Sequence, residues 1–224
     1  MTLPESRTAA TPASGDRGPR FLSPPPEVRI TNAFERAFDN VVATARTCYS
    51  GSGIVRDEQI LGDPQAPPEA REERARRRDN LARDLYQAGH HTTLQHAHFQ
   101  FALSNVSRQF LWSFLHSHPF YNSEQVSQRY VTVKPGHYAV PPLAGRALQI
   151  YEDAVSGQQQ AYEDLCRLLQ GPVSSAYYAR YPARRHYPKK YEKEVQKKAQ
   201  EVARYVLPIS TFAYLYHTIS GLTL

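Results

Sequence analysis

The side chains best able to bind a polar ligand are concentrated in residues 108–130. This stretch holds two arginines, two histidines, a carboxylate, several hydroxyls and an aromatic cluster. Residues 108–115 are apolar enough for a buried helix. Residues 122–130 alternate polar donors and acceptors, which is typical of a ligand-binding loop, and a strand is expected to begin near Tyr130. A core helix followed by a well-hydrogen-bonded turn fits the same residues equally well. The stretch alone therefore leaves ligand binding and a purely structural role open.

A second group of polar side chains lies in residues 89–96, Gly-His-His-Thr-Thr-Leu-Gln-His. Gly89 favours the end of one helix, and the hydroxyls of Thr92 and Thr93 can cap a further short turn. A metal-binding protein is one hypothesis for the histidines, with the ligands His90, His96, His116 and His118. No cysteine or carboxylate stands at the usual ligand spacing from them, so we expect no metal site.

Both stretches must be positioned by helices and strands whose periodicity predicts an α+β fold. We expect a small, mostly antiparallel sheet with helices packed around it. Alternation and β-branched residues predict strands at residues 28–31, 99–103, 130–133 and 210–219. Helical spacing predicts helices at residues 38–49 and 69–88, from Ser107, at 143–169 with Gly157 as a candidate interruption, from Pro172, and at 189–206.

The charge balance favours anionic partners. The chain has 224 residues, with 27 Lys and Arg against 21 Asp and Glu, and a formal charge of +6. This excess weakly supports a phosphorylated ligand. The most basic run, at residues 71–80, mixes both signs as a solvated helix face does, so we expect no nucleic-acid partner.

Composition also predicts the cellular compartment and the extent of the folded domain. No apolar run is long enough to span a membrane, so we expect a cytoplasmic protein with no membrane partner. Cys48 and Cys166 are too few for a disulfide framework and are expected to be free, mostly buried thiols. Residues 1–26 hold little that could be buried and predict a disordered tail, which leaves residues 27–224 for one domain.

Three ordered stretches of the sequence resemble the flavin-dependent thymidylate synthases. The family has a Gly-His-x-Thr-x-x-x-His segment, and this chain has Gly89, His90, Thr92 and His96 at that spacing. Its longer signature begins near Arg-Gln and ends Ser-x-Arg-Tyr, and this chain keeps Arg108, Gln109, Ser127, Arg129 and Tyr130. Its Ala-Arg-x-Val-Leu-Pro stretch matches residues 203–208, followed by Thr211 and residues 216–218. The resemblance covers about residues 28–224.

This resemblance implies a function and a set of site residues. It implies reductive methylation of dUMP to dTMP with methylenetetrahydrofolate, FAD and NADPH, by a homotetramer whose sites form between subunits. The implied dUMP contacts are Gln109, Ser127, Arg129 and Arg204. The implied FAD and folate contacts are His90, Thr92, His118 and Glu124. Guanidinium and hydroxyl groups suit the phosphate of a nucleotide, because guanidinium pairs with phosphate oxygens bidentately.

The sequence departs from the family pattern in two places. The central Arg-His-Arg is absent, since it falls on residues 112–114 when aligned from Arg108 and on residues 117–119 when aligned from Ser127. Residues 220–224 replace the family's Asn-Ala-Arg-Ser-Leu, the dUMP-activating arginine has no counterpart, and we expect a domain incomplete at its C-terminus. Two hypotheses stay open: an active synthase, and a non-catalytic member of the fold that pairs with a complete synthase domain.

Overall fold

A computed structural model describes residues 21–224. The tail predicted at residues 1–26 falls mostly outside these residues, and only its last six are described. Within them, the amide of Leu22 donates to the carbonyl of Val140 at 2.9 Å, and the amide of Val140 donates to the Ser23 hydroxyl at 2.9 Å. The side chain of Asn105 donates to the Pro25 carbonyl at 3.2 Å. The first two bonds hold the segment against the loop around residue 140, and the third holds it against Asn105.

The centre of the fold is a four-stranded antiparallel sheet, which confirms the predicted fold class. Its strands are β1 (Glu27–Ala33), β2 (His98–Ser107), β3 (Tyr121–Gln125) and β4 (Phe212–Ser220). Their order across the sheet is β1-β2-β4-β3. The strands predicted at residues 28–31, 99–103 and 210–219 are therefore confirmed.

The strand predicted near Tyr130 is wrong, and the sheet uses earlier residues instead. The amides of Tyr130 and Val131 both donate to the Ser127 carbonyl, at 3.2 and 3.0 Å, so this region is a tight turn. β3 consists of residues expected to form a loop, and its residue Ser123 pairs with His217 of β4. Polar residues are tolerated in β3 because it is an edge strand with one face open to solvent. Hydrogen bonding to β4, which is distant in the sequence, determines that these residues join the sheet.

Within residues 21–224, seven helices surround the sheet: α1 (Ala37–Thr47), α2 (Asp57–Leu61), α3 (Pro68–Gln87), α4 (Arg108–His116), α5 (Gly145–Leu168), α6 (Gln170–Arg180) and α7 (Pro188–Ala203). Short 3₁₀ segments occupy His91–His96, Pro182–His186 and Arg204–Val206. The predicted helices are confirmed, α5 runs through Gly157 without a break, and α2 was not predicted. Ser107 caps α4 as expected, because its hydroxyl accepts from the Phe110 amide at 3.0 Å.

The charged face of α3 is exposed as predicted for residues 71–80. None of its residues is buried, and Arg77 donates to Glu73 one turn earlier at 2.9 Å. This geometry is that of a solvated helix with local ion pairs. Against the prediction, Cys48 is exposed, and Cys166 is only partly buried. No helix in the described part of the chain is both long and apolar enough to cross a membrane.

The core that positions α4 depends on a bulge in β2. Asn105 adopts a left-handed conformation with φ of 55°, and the pairing of β2 with β4 shifts between Leu103 and Val106. The bulge turns Leu103 and Val106 to the same face of the sheet, where both are buried against Leu111 of α4. α4 was predicted as a buried helix, but only Leu111 is buried, and Trp112 is 68% exposed. One side of α4 therefore remains open to a ligand.

Candidate functional site

Arg108, the first residue of α4, ties three elements of the fold together. Its amide donates to the Thr211 carbonyl before β4 at 3.0 Å. Its guanidinium donates to the side chain of Gln125 in β3 at 2.6 Å and to the Val126 carbonyl at 2.5 Å. Its Nε atom is buried and has no hydrogen-bond partner. Burial, and then the nearby charge of Arg204, lower the pKa of Arg108. The result is a fixed cation whose buried Nε–H has no acceptor and whose terminal nitrogens each retain one further N–H.

The turn after β3 meets the C-terminal end of α7 beside Arg108. Arg129 forms an ion pair with Glu201 at 3.4 Å, and Arg204 donates from Nε to the Glu201 carbonyl at 3.1 Å. The Ser127 hydroxyl accepts from the Arg129 amide at 3.3 Å. The amide of Gln109 donates to the Ile209 carbonyl at 2.9 Å. The structure thus brings the four residues expected to contact dUMP to one end of the molecule.

The charge at this end is mostly positive. Lys198 donates to Glu201 at 3.0 Å, and this bond, followed by the smaller effect of Arg129, lowers the pKa of the Glu201 carboxyl. Lys197 lies over the ring of Tyr130, 5.5 Å from its centroid. Arg129 and Lys198 therefore contact one carboxylate, with Arg204 bonded to the backbone carbonyl of the same residue, and the surplus positive charge suits a phosphate group. Glu201 organises this cluster, although no motif in the sequence singled it out.

A cleft of about 680 Å³ opens beside Arg108. Its lining residues are Arg108, Gln109, Leu111, Trp112, Leu115, His116, Gln125 and Ile209. The volume lies within the range of small-molecule sites, and the lining combines apolar walls with a few polar groups. Trp112 and His116 were not predicted as dUMP or FAD contacts, because an apolar run at helical spacing predicts core residues rather than a cleft wall.

His90 and Thr92 lie at the opposite end of the sheet. Ala97, directly after the 3₁₀ segment that contains Thr92, accepts from the Gly221 amide just after β4 at 2.8 Å, whereas the Arg108 amide donates to the Thr211 carbonyl just before β4. These ten residues of extended chain separate the two ends by about 30 Å. The Nδ1 atom of His90 is buried without a partner, and Thr92 is exposed. A single chain therefore does not bring these two residues to the Arg108 cleft.

His118 belongs to a hydrogen-bonded chain of four side chains. Its Nδ1 lies 2.9 Å from the Ser117 hydroxyl, and its Nε2 lies 3.0 Å from Nε2 of His217. Nδ1 of His217 lies 2.5 Å from the Ser123 hydroxyl. Burial, and then His118, lower the pKa of His217, which is 1% exposed. Both ring nitrogens of His118 are thus hydrogen-bonded, one to Ser117 and one to His217, which argues against its expected contact with a cofactor.

Glu124 lies on the exposed side of β3, opposite Tyr216 of β4 in the strand register. This open face of the sheet is separate from the cleft, so Glu124 joins neither the Arg108 group nor His90. The metal hypothesis gains no support from the geometry. In the described residues, no three or more His, Cys, Asp or Glu side chains converge as metal ligands would.

Comparisons with known proteins add the family context. The sequence matches the profile of the family described as "Thymidylate synthase complementing protein" over residues 29–224. It is 28% identical to a flavin-dependent thymidylate synthase of Clostridium tetani over 187 residues, which are 82% of this chain. The chain spans only 65% of the length of that relative.

A solved structure shows the same fold. The crystal structure of the UMP/dUMP methylase PolB from Streptomyces cacaoi bound with 5-Br dUMP superposes with a TM-score of 0.51 and 18% identity, over 88% of this chain and 73% of that chain. The structure of PolB with 5-Br UMP gives a TM-score of 0.49 and 17% identity, over 88% and 72% of the two chains.

Proposed function

The chain belongs to the thymidylate synthase complementing protein family, and from this premise we propose that it methylates dUMP reductively to dTMP. Methylenetetrahydrofolate supplies the carbon, NADPH supplies the reducing equivalents, and FAD is the bound cofactor. The observation that carries this proposal is that Arg129 pairs with the Glu201 carboxylate while Arg204 bonds to the backbone carbonyl of the same residue, close to Arg108 and the cleft. The matching relative is itself a flavin-dependent thymidylate synthase.

In this proposal the cationic cluster binds the nucleotide phosphate. Arg129 and Arg204 present guanidinium groups that match phosphate oxygens bidentately, and the Ser127 hydroxyl adds a donor. The base enters the cleft, where the side chains of Gln109 and Gln125 can meet the carbonyl and N–H groups of uracil. The guanidinium of Arg108, which also lines the cleft, adds a further cationic donor beside the base.

The flavin would be held by a different part of the chain. His90 fits a ligand contact, because its buried Nδ1 has no partner within the chain and would be satisfied by a polar group of the cofactor. Thr92 is exposed and completes this proposed set, whereas Glu124 lies apart from it on the open face of the sheet. When bound, FAD supplies the redox chemistry, and the protein's task is to hold the reactants in contact and exclude water.

The distance between the proposed dUMP contacts and the proposed flavin contacts has a consequence for how subunits assemble. Because His90 lies about 30 Å from the Arg108 cleft along β4, one chain does not offer both contacts to adjacent ligands. We therefore propose that a complete site joins the dUMP end of one chain to the flavin end of another, in a homotetramer. Pairing with a second synthase-like domain would satisfy the same requirement.

The test is release of tritium from dUMP labelled at C5, in the presence of FAD, NADPH and methylenetetrahydrofolate. An active synthase releases tritium only with all components, and light scattering gives the mass of an oligomer. Residues 112–114 and 117–119 contain no arginine where the family's Arg-His-Arg aligns, which favours the non-catalytic partner as a second candidate. That candidate predicts no tritium release by this chain alone, and failure to bind dUMP would reject the active synthase.

A further inference from the structure

The open side of α4 carries an aromatic pair that the proposed function does not use. Trp112 is 68% exposed, and its ring lies 4.3 Å from that of His116, tilted by 34°. Nδ1 of His116 lies 2.5 Å from the Trp112 carbonyl. A carbonyl oxygen only accepts, so Nδ1 must carry the proton, and this bond fixes the imidazole beside the indole. The pair is therefore held in place although it is exposed.

The position of this pair beside polar groups distinguishes it from an ordinary exposed aromatic. Trp112 and His116 line the same 680 Å³ cleft as Arg108, Gln109 and Gln125. Gln125 accepts from Arg108 through its carbonyl oxygen, which leaves its amide N–H groups as donors. Each terminal nitrogen of Arg108 uses one N–H on Gln125 or Val126 and retains a second N–H. The cleft thus offers a flat aromatic surface together with donors that need partners.

A pyrimidinedione ring has the complementary chemistry. It is flat, and its edge alternates carbonyl oxygens with an N–H group, so it can stack on an indole while its oxygens accept from amide and guanidinium donors. Uracil nucleotides and the isoalloxazine of flavins both contain this ring. Electrostatic attraction between an arginine and a phosphate would not require an aromatic neighbour, so the aromatic pair indicates recognition of a ring rather than of a charge.

We propose that Trp112 and His116 form a stacking platform for a pyrimidinedione ring, with Arg108, Gln109 and Gln125 contacting the ring edge. The choice of ligand class rests on the proposed function, whereas the platform itself rests on the geometry of α4. The platform stands where the sequence, aligned from Arg108, lacks the first residue of the family's Arg-His-Arg. Stacking would thus take over part of the ligand contact that an arginine would otherwise make.

The chain offers a direct probe, because Trp112 is its one tryptophan. Intrinsic tryptophan fluorescence of the full chain therefore reports on this side chain alone. The protein is titrated with FAD, riboflavin, dUMP and uridine, and with AMP as a ring without the pyrimidinedione edge. Calorimetry on the same samples measures binding independently of the indole. Trp112→Ala removes the ring, Trp112→Phe keeps a ring, and Tyr187→Ala removes a comparably exposed aromatic elsewhere.

The platform predicts that a flavin or a uracil ligand quenches Trp112 and that AMP does not. It also predicts that Trp112→Ala weakens binding of that ligand about tenfold, that Trp112→Phe weakens it only about twofold to threefold, and that Tyr187→Ala has no effect. Quenching by the flavins alone, or by the uracil ligands alone, identifies which ring the platform takes. Equal quenching by AMP overturns the assignment of the ring class.

Further outcomes separate the platform from the proposed function. Calorimetric binding of dUMP or FAD with unchanged fluorescence, and with full affinity in Trp112→Ala, overturns the platform and leaves the function standing. Quenching by riboflavin without any binding of dUMP supports the platform and rejects the proposed substrate. Fluorescence that changes with protein concentration but with none of the ligands shows a subunit contact at Trp112 and overturns the platform. No binding of any of the ligands rejects both proposals.

Discussion

Replacing Arg129 by alanine is the most direct test of the phosphate site. A hydrogen bond to a charged group contributes about 1.5–3 kcal/mol, and the arginine must give up part of its contact with Glu201 when a phosphate binds. That contact spans 3.4 Å between side chains that are 47% and 31% exposed, so it is worth about 0.2–1 kcal/mol. The net loss for Arg129→Ala is then about 0.5–2.8 kcal/mol, or roughly 2- to 110-fold in the Kd for dUMP.

Isothermal titration of dUMP at low and high salt measures this loss. Because the interaction involves exposed charges, the difference between wild type and Arg129→Ala should shrink as salt increases. Arg167→Ala is the matched control, since Arg167 also pairs with a carboxylate, Asp164, and its side chain is 73% exposed. This variant should bind dUMP as the wild type does.

Glu201→Gln should change the affinity for dUMP in the opposite direction. It removes the negative charge nearest the proposed phosphate and releases Arg129, so dUMP should bind several-fold more tightly. A folded Arg129→Ala protein with unchanged affinity would refute the phosphate role of this arginine. If Glu201→Gln weakened binding as well, the carboxylate would be part of the ligand contact, and the electrostatic argument would be wrong.

Three further predictions concern the scaffold. Leu111→Ala should lower the free energy of unfolding in urea by about 2–5 kcal/mol because its side chain is buried, whereas Trp112→Ala should change it by less than about 1 kcal/mol. Gly157→Ala should raise that free energy by about 0.5–1 kcal/mol, since the helix is continuous there and an added Cβ meets nothing within 4 Å; a loss would contradict this. The pKa of His217 is lowered in the folded state, so as pH falls the unfolded chain binds this proton before the folded chain does. The free energy of unfolding should therefore fall as pH drops below about 6.5. His217→Gln should show a smaller fall between about pH 8 and 5.5.

Local sequence patterns predicted the elements of the fold well. The Ser107 cap and the apolar spacing after it place α4 correctly, and alternation places β2 and β4, because these signals arise within a few neighbouring residues. The same reasoning failed for β3. Val131 and Val133 have high strand propensity but lie outside the sheet, because pairing with β4 selects residues 121–125 instead.

The candidate site was predictable only in part. The spacing of the motif identified Arg129 and Arg204. Glu201, which pairs with Arg129 through its carboxylate and with Arg204 through its backbone carbonyl, could not be recognised from the sequence because its helix is charged throughout. Trp112 was hidden for a different reason. An aromatic residue in an apolar helix predicts burial, and only the packing of Leu111 against the sheet shows that Trp112 is on the open side.

The sequence by itself determined the α+β class, the family and most element boundaries, because these depend on local periodicity and on ordered motifs. Only the tertiary structure decided which motif residues meet. Pairing of β4 with both β2 and β3 places Thr211, Arg108 and Gln125 within hydrogen-bonding distance and sends His90 to the far end. Strand order and register depend on bonds between residues far apart in the chain, and no local pattern carries that information.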